Sequence, residues 1–177
     1  MTHTATLQAV AQSRFLIIGY GNERQGDGAV GPRVADIVAN WQLPAIKTVA
    51  VQQLTPDLVN DLVATDYVIF VDACSGKSCA RTVQIDPIVA GSRAPRTLPA
   101  GSRSDEPLAL LNLTRQLYGR GPQAWLLQVP SESFEVGKGL SSTTQQGCDR
   151  AVRTIEQFIK TYQPSAWRRQ AAVMQSV

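Results

Sequence analysis

The stretch Phe15-Leu-Ile-Ile-Gly19-Tyr-Gly21-Asn22-Glu-Arg24-Gln-Gly26-Asp27-Gly28-Ala-Val-Gly31 decides the fold. An apolar run of strand length stops at a glycine-rich turn carrying Asn22 and Asp27, and a helical pattern begins within a few residues. In an open α/β sheet such a turn lies at the carboxyl end of a strand, where ligands and catalytic groups gather. Its glycines permit positive φ or close backbone approach, and Asn22 and Asp27 are short enough to hold the turn or face a ligand.

Working outward, Val30, Val34, Ile37 and Val38 recur at helical spacing, with Pro32 in the first turn. Ala45–Val51 reads as a second strand. Thr55-Pro56-Asp57 reads as an N-cap, a first-turn proline and a first-turn acid, opening a helix to about Ala64. Tyr67–Asp72 is a short, β-branched apolar run suited to a buried central strand. Thr82–Ile85 is expected as a fourth strand, edge or antiparallel, followed by a long loop from Asp86 to Asp105. A helix over Pro107–Tyr118 with Leu108, Leu111 and Leu117 on one face comes next, then a strand over Ala124–Val129. Gly147–Tyr162 is the last helix, ended by Pro164. The alternation predicts one three-layer α/β/α sandwich on a mostly parallel, five-stranded mixed sheet. The domain is expected over 14–162, with tails at 1–13 and 163–177.

The chain has 177 residues, of which 44% are hydrophobic and 18% charged, as in an ordinary globular domain. Its formal charge of +3 is mild and collects at Arg150, Arg153, Arg168 and Arg169, so no nucleic-acid partner is expected. No apolar run reaches the roughly eighteen residues of a membrane span. Residues 1–13 lack a basic region followed by an apolar one, so a cytoplasmic location is expected. Cys74, Cys79 and Cys148 do not complete a zinc pattern and read as reduced thiols in or near the core. His3 is the only histidine, which argues against a histidine triad or a His-rich metal site.

Several apparent motifs fail. The dinucleotide frame starting at Gly19 needs glycine where Arg24 stands, and Gln52 and Gln53 occupy the place of the ribose-binding acid. Gly76-Lys77-Ser78 lacks the first glycine of a phosphate loop, because Val71 stands there. Ser75, Ser131 and Ser133 lie outside any G-x-S-x-G turn. Two acids remain, Asp27 in the first turn and Asp72 at the end of the third strand. Both junctions open on one sheet edge, so these carboxylates are candidate catalytic groups and metal ligands. The alternative is that each merely caps the next helix.

These residues resemble the hydrogenase maturation proteases. The resemblance rests on Gly19-Tyr-Gly-Asn22, Asp27, Gly31, Gln53-Leu-Thr-Pro-Asp-Leu58, Phe70-Val-Asp72-Ala73, Pro107-Leu-Ala-Leu-Leu-Asn-Leu and Ser133-Phe-Glu-Val-Gly137. It covers roughly Phe15 to Lys160, in order. It implies a cytoplasmic endopeptidase, of the kind classed as aspartic-type, that removes a C-terminal extension from the large-subunit precursor of a nickel–iron hydrogenase. It also implies no tightly bound cofactor, because the nickel belongs to the substrate. In that family an acid of the glycine turn, an aspartate after the third strand and a histidine meet the metal.

Asp72 matches the aspartate. Counting from Asn22 without gaps puts Asp27 at the first acid of the turn and Gly28 where the ligand acid is expected; a one-residue slip would place Asp27 there instead. The histidine position falls on Arg103, a permanent cation that cannot ligate nickel. At about 4 Å and an effective dielectric near 20, a unit-charge pair is worth on the order of 4 kcal/mol, so Arg103 would oppose a bound cation. It would instead pair with Asp72 or Asp27, or hold a substrate carboxylate. Gly21, Asn22, Gly28 and Arg103 are therefore expected beside the site. Two further readings stand next to a working peptidase: a degenerate relative acting as a binding, assembly or regulatory protein, and an unrelated domain holding a nucleotide at the first turn.

Overall fold

The computed structural model describes residues 14–77, 79–91 and 105–163. Strand β1 (Phe15–Tyr20) leads through a 3-10 turn at Gly26–Ala29 into α1 (Val30–Ala39) and then β2 (Ile46–Val51). A second 3-10 turn, Pro56–Leu58, precedes the short α2 (Val59–Val63). Then follow β3 (Tyr67–Cys74), β4 (Gln84–Ile88), α3 (Asp105–Tyr118), β5 (Gln123–Pro130) and α4 (Ser142–Tyr162). The five-stranded sheet has the order β2-β1-β3-β5-β4. All neighbours are parallel except β4, which runs antiparallel to β5. This is the expected three-layer α/β/α sandwich on a mixed, mostly parallel sheet.

The burial follows from the topology. Every residue of β1, and all of β3 after Tyr67, is buried, because helices cover both faces of the central strands. One layer packs Ile17, Ile69, Val71, Ala73, Leu127 and Val129 against Val34 and Val38 of α1 and Cys148, Ala151, Ile155 and Ile159 of α4. The other packs Leu16, Ile18, Val68 and Phe70 against Leu62 of α2 and Leu110 and Leu111 of α3. A fully buried aliphatic side chain contributes about 1.5–3 kcal/mol, so these two layers are the main source of stability. At the opposite edge of the sheet from the glycine turn, Phe15, Tyr67, Trp125, Phe158 and Tyr162 form an aromatic cluster; the Phe158 and Tyr162 rings are 4.5 Å apart.

Several boundaries differ from the sequence reading. β4 spans Gln84–Ile88 rather than Thr82–Ile85 and contains Pro87. An edge strand tolerates a proline, since β4 pairs only with β5. Only residues up to 91 of the expected long loop are described before α3 begins. In α3 the buried positions are Pro107, Leu110, Leu111 and Thr114, whereas Leu117, expected on the core face, is 62% exposed. The spacing i, i+3, i+4, i+7 from Pro107 defines that face, and Leu117 falls off it. α4 starts at Ser142, five residues before the expected Gly147, because the Ser141 hydroxyl accepts from Thr144 N at 3.2 Å and caps the helix. Thr55 makes no side-chain cap, and the chain there opens as a 3-10 turn. Cys74 and Cys79 form a disulfide, where reduced thiols were expected; Cys148 is free and buried.

Candidate functional site

The glycine-rich turn leaves β1 with Gly21 at φ 144°. Asn22 closes the next bend twice: its Oδ1 accepts from Arg24 N at 3.0 Å and its carbonyl from Gln25 N at 3.0 Å. Gly26 holds φ 49°, and a Cβ there would lie 2.6 Å from the Ser133 carbonyl. That carbonyl accepts from Asp27 N at 2.8 Å, and Gln25 bridges to Val136. The turn is thus stitched to the loop that follows β5. At its far end, Gly31 brings α1 so close to the sheet that a Cβ would meet the Val71 carbonyl at 2.6 Å.

Asp27 has no exposed surface. Its Oδ2 accepts from Glu132 N at 2.7 Å, Ser133 N at 2.9 Å and the Ser141 hydroxyl at 2.8 Å. Its Oδ1 accepts from Ser141 N at 2.6 Å. Burial alone pushes this carboxyl upward, but the backbone donors of Ser133, Ser141 and Glu132, with the Ser141 hydroxyl, outweigh it and bring the pKa from 3.8 to about 2. A carboxylate so supplied is a structural anion: it ties the first βα turn, the loop after β5 and the N-terminus of α4 into one corner.

Asp72 lies elsewhere. It pairs with Gln128 near the end of β3 and is 2% exposed. Strand alternation puts it with Val68 and Phe70 on the α2/α3 side, while Val71 and Ala73 face α1 and α4. The parallel topology therefore brings Asp27 and Asp72 to one sheet edge, as the sequence suggests. It commits Asp27 to the α4 corner and leaves Asp72 on the opposite face of the sheet.

Gly21, Asn22 and Arg24 line a cleft of about 600 Å³ together with Ala50, Val51 and Gln52 at the end of β2. Gly28 sits inside the turn; a Cβ there would lie 3.1 Å from the Asn22 carbonyl and 3.6 Å from the Phe134 ring. Arg103 lies outside the described residues, so its expected pairing with either acid does too. Among the described residues no group of three His, Cys, Asp or Glu side chains could hold a metal ion. No helix among them is long and apolar enough to cross a membrane.

Sequence reading missed the partners of Asp27. Glu132, Ser133 and Ser141 lie 105, 106 and 114 residues away, and only the capping pattern of Ser141 offered any signal.

Fold and site together define a three-layer α/β/α domain with a glycine-rich turn and a strand-end aspartate at the carboxyl edge of its sheet. Solved structures share this architecture. The hydrogenase maturating endopeptidase HybD from E. coli matches with a TM-score of 0.68 at 22% identity, over 85% of this chain and 94% of its own. An endopeptidase from E. coli matches with a TM-score of 0.65 at 23% identity, over 85% and 94%. The NiFe hydrogenase maturation protease HycI from Thermococcus kodakarensis matches with a TM-score of 0.61 at 20% identity, over 85% and 95%. The likeness establishes the fold. No protein-family model matches the chain, and no curated protein does.

Proposed function

We propose that this protein is a hydrogenase maturation endopeptidase that removes the C-terminal extension of a nickel–iron hydrogenase large-subunit precursor in the cytoplasm. The observation that carries the reading is Asp72: a buried aspartate at the end of the central strand, on a fold shared over 85% of the chain with endopeptidases of hydrogenase maturation. In this reading Asp72 meets the nickel of the precursor, which is substrate and not a resident cofactor. The backbone of the glycine turn, with Gly21 and Asn22 on the adjoining cleft, holds the extended peptide. Asp27 keeps the turn in place through its four donors rather than as a second catalytic or metal-binding acid.

One observation favours a second reading, a relative that binds and assists the precursor without cutting it. The four donors to Asp27 support the ungapped count of the turn, in which Gly28 supplies no ligand. The two readings separate in one experiment. Nickel-loaded precursor is incubated with the protein and followed by intact mass. Loss of a C-terminal fragment is expected; intact precursor at every protein concentration, with a complex still forming, would leave only the assembly role.

A further inference from the structure

Two residues past Asp72, and on the same strand face, Cys74 ends β3 and is joined to Cys79 by a disulfide, with the Cα atoms 5.7 Å apart. Cys74 is nearly buried at 9% exposure, while Cys79 is half-buried. The pair lines a second cleft, of about 320 Å³, with Ser75, Arg81, Ser131, Glu132 and Thr143 of α4. The far wall of that cleft is fixed: Ser131 N donates to the Cys74 carbonyl at 2.8 Å, and Glu132 N donates to Asp27. The near wall is open to solvent. Ser75, Gly76 and Lys77 are exposed, a Cβ on Gly76 would touch nothing within 4 Å, and a bond within the turn runs from Cys79 N to the Gly76 carbonyl at 3.2 Å.

We propose that Cys74 and Cys79 are a redox-active pair that sets access to this cleft at the carboxyl edge of the sheet, between the ends of β3 and β5. The disulfide closes the turn onto the end of its own strand, over the cleft, and the dithiol releases it. The consequence for the precursor rests on the function proposed above; the latch itself does not. A dithiol reductant supplies the chemistry. One of its thiolates attacks the more accessible Cys79 Sγ, the Sγ–Sγ bond breaks, and Cys74 leaves as a thiolate that takes a proton. The second thiol of the reductant then displaces Cys79, which also takes a proton, and the reductant ends as a disulfide. Two electrons and two protons have moved. Cys148 does not compete, since it is fully buried and burial pushes its thiol pKa up.

The test uses the full chain, equilibrated with oxidised glutathione or with dithiothreitol. Alkylation should add two more groups to the reduced protein, at Cys74 and Cys79; an unlinked pair in the oxidised protein overturns the proposal. Trypsin should cut after Lys77 and Arg81 about tenfold faster in the reduced form, and Cys79→Ser should be cut at the fast rate in both conditions. Equal rates for oxidised and reduced protein overturn the latch. Precursor binding should differ about fivefold between the two forms, with Cys79→Ser fixed at the reduced value. Equal binding despite unequal cutting overturns control of access. Failure to bind precursor in either form, with the trypsin difference intact, overturns the proposed function and leaves the latch standing.

Discussion

The two aspartates at the carboxyl edge of the sheet look alike in sequence, are both buried, and lie on opposite faces of the sheet. Asp27 is enclosed by four donors from a loop and a helix N-terminus more than a hundred residues away. Asp72 lies on the other face, two residues before Cys74 ends β3 and an exposed turn begins. The difference teaches that a βα-junction acid is not a site by position alone. Where backbone donors saturate a carboxylate, its charge holds the scaffold.

That contrast is breakable. Asp27→Ala strands the Glu132, Ser133 and Ser141 donors in a buried corner, and should lower unfolding free energy by about 3–5 kcal/mol in urea titrations. A change near zero would remove Asp27 from its structural role. The pH dependence is the next largest effect. The folded-state pKa of Asp27 is depressed from 3.8 to about 2, so its contribution is fully present above about pH 4 and is lost as pH falls through about 2. Stability should fall by about 2 kcal/mol across that window, and Asp27→Asn should flatten the slope there. Asp72→Asn keeps the shape of a buried side chain, so it should cost about 1–2 kcal/mol, less than Asp27→Ala, while abolishing precursor processing. Retained processing would end the proposed role of Asp72.

A finer test asks whether Gly28 marks a lost ligand. A side chain at 28 must ease the Asn22 carbonyl by a few tenths of an ångström, a small repacking that Gly28→Glu should tolerate at about 1 kcal/mol. Combined with Arg103→His, it should tighten nickel or cadmium binding at least about tenfold by calorimetry. If the unaltered protein already binds these ions tightly at this cleft, the turn has lost nothing.

Much of this was legible in the chain. The run Phe15–Gly19 ending in glycines, Pro32 in the first turn of α1, and the β-branched Tyr67–Asp72 each carry a local signal, because strand burial and helix entry are decided within a few residues. The antiparallel edge strand was also readable, although Pro87 obscured its end. The face of α3 was not, since Leu117 satisfies a helical period without facing the sheet. The start of α4 at Ser142, capped by Ser141, was hidden in a Ser-Ser-Thr-Thr run that reads equally well as loop.

By itself, the sequence determined the order of strands and helices and the edge at which both aspartates had to lie, for these follow from short-range periodicity and parallel topology. Only the tertiary structure decided which corner and which face each acid occupies. The partners of Asp27 arrive from 105 to 114 residues away, and the face of Asp72 is fixed by the register of β3 between β1 and β5. No local spacing encodes a contact that exists only once the sheet has closed the distance.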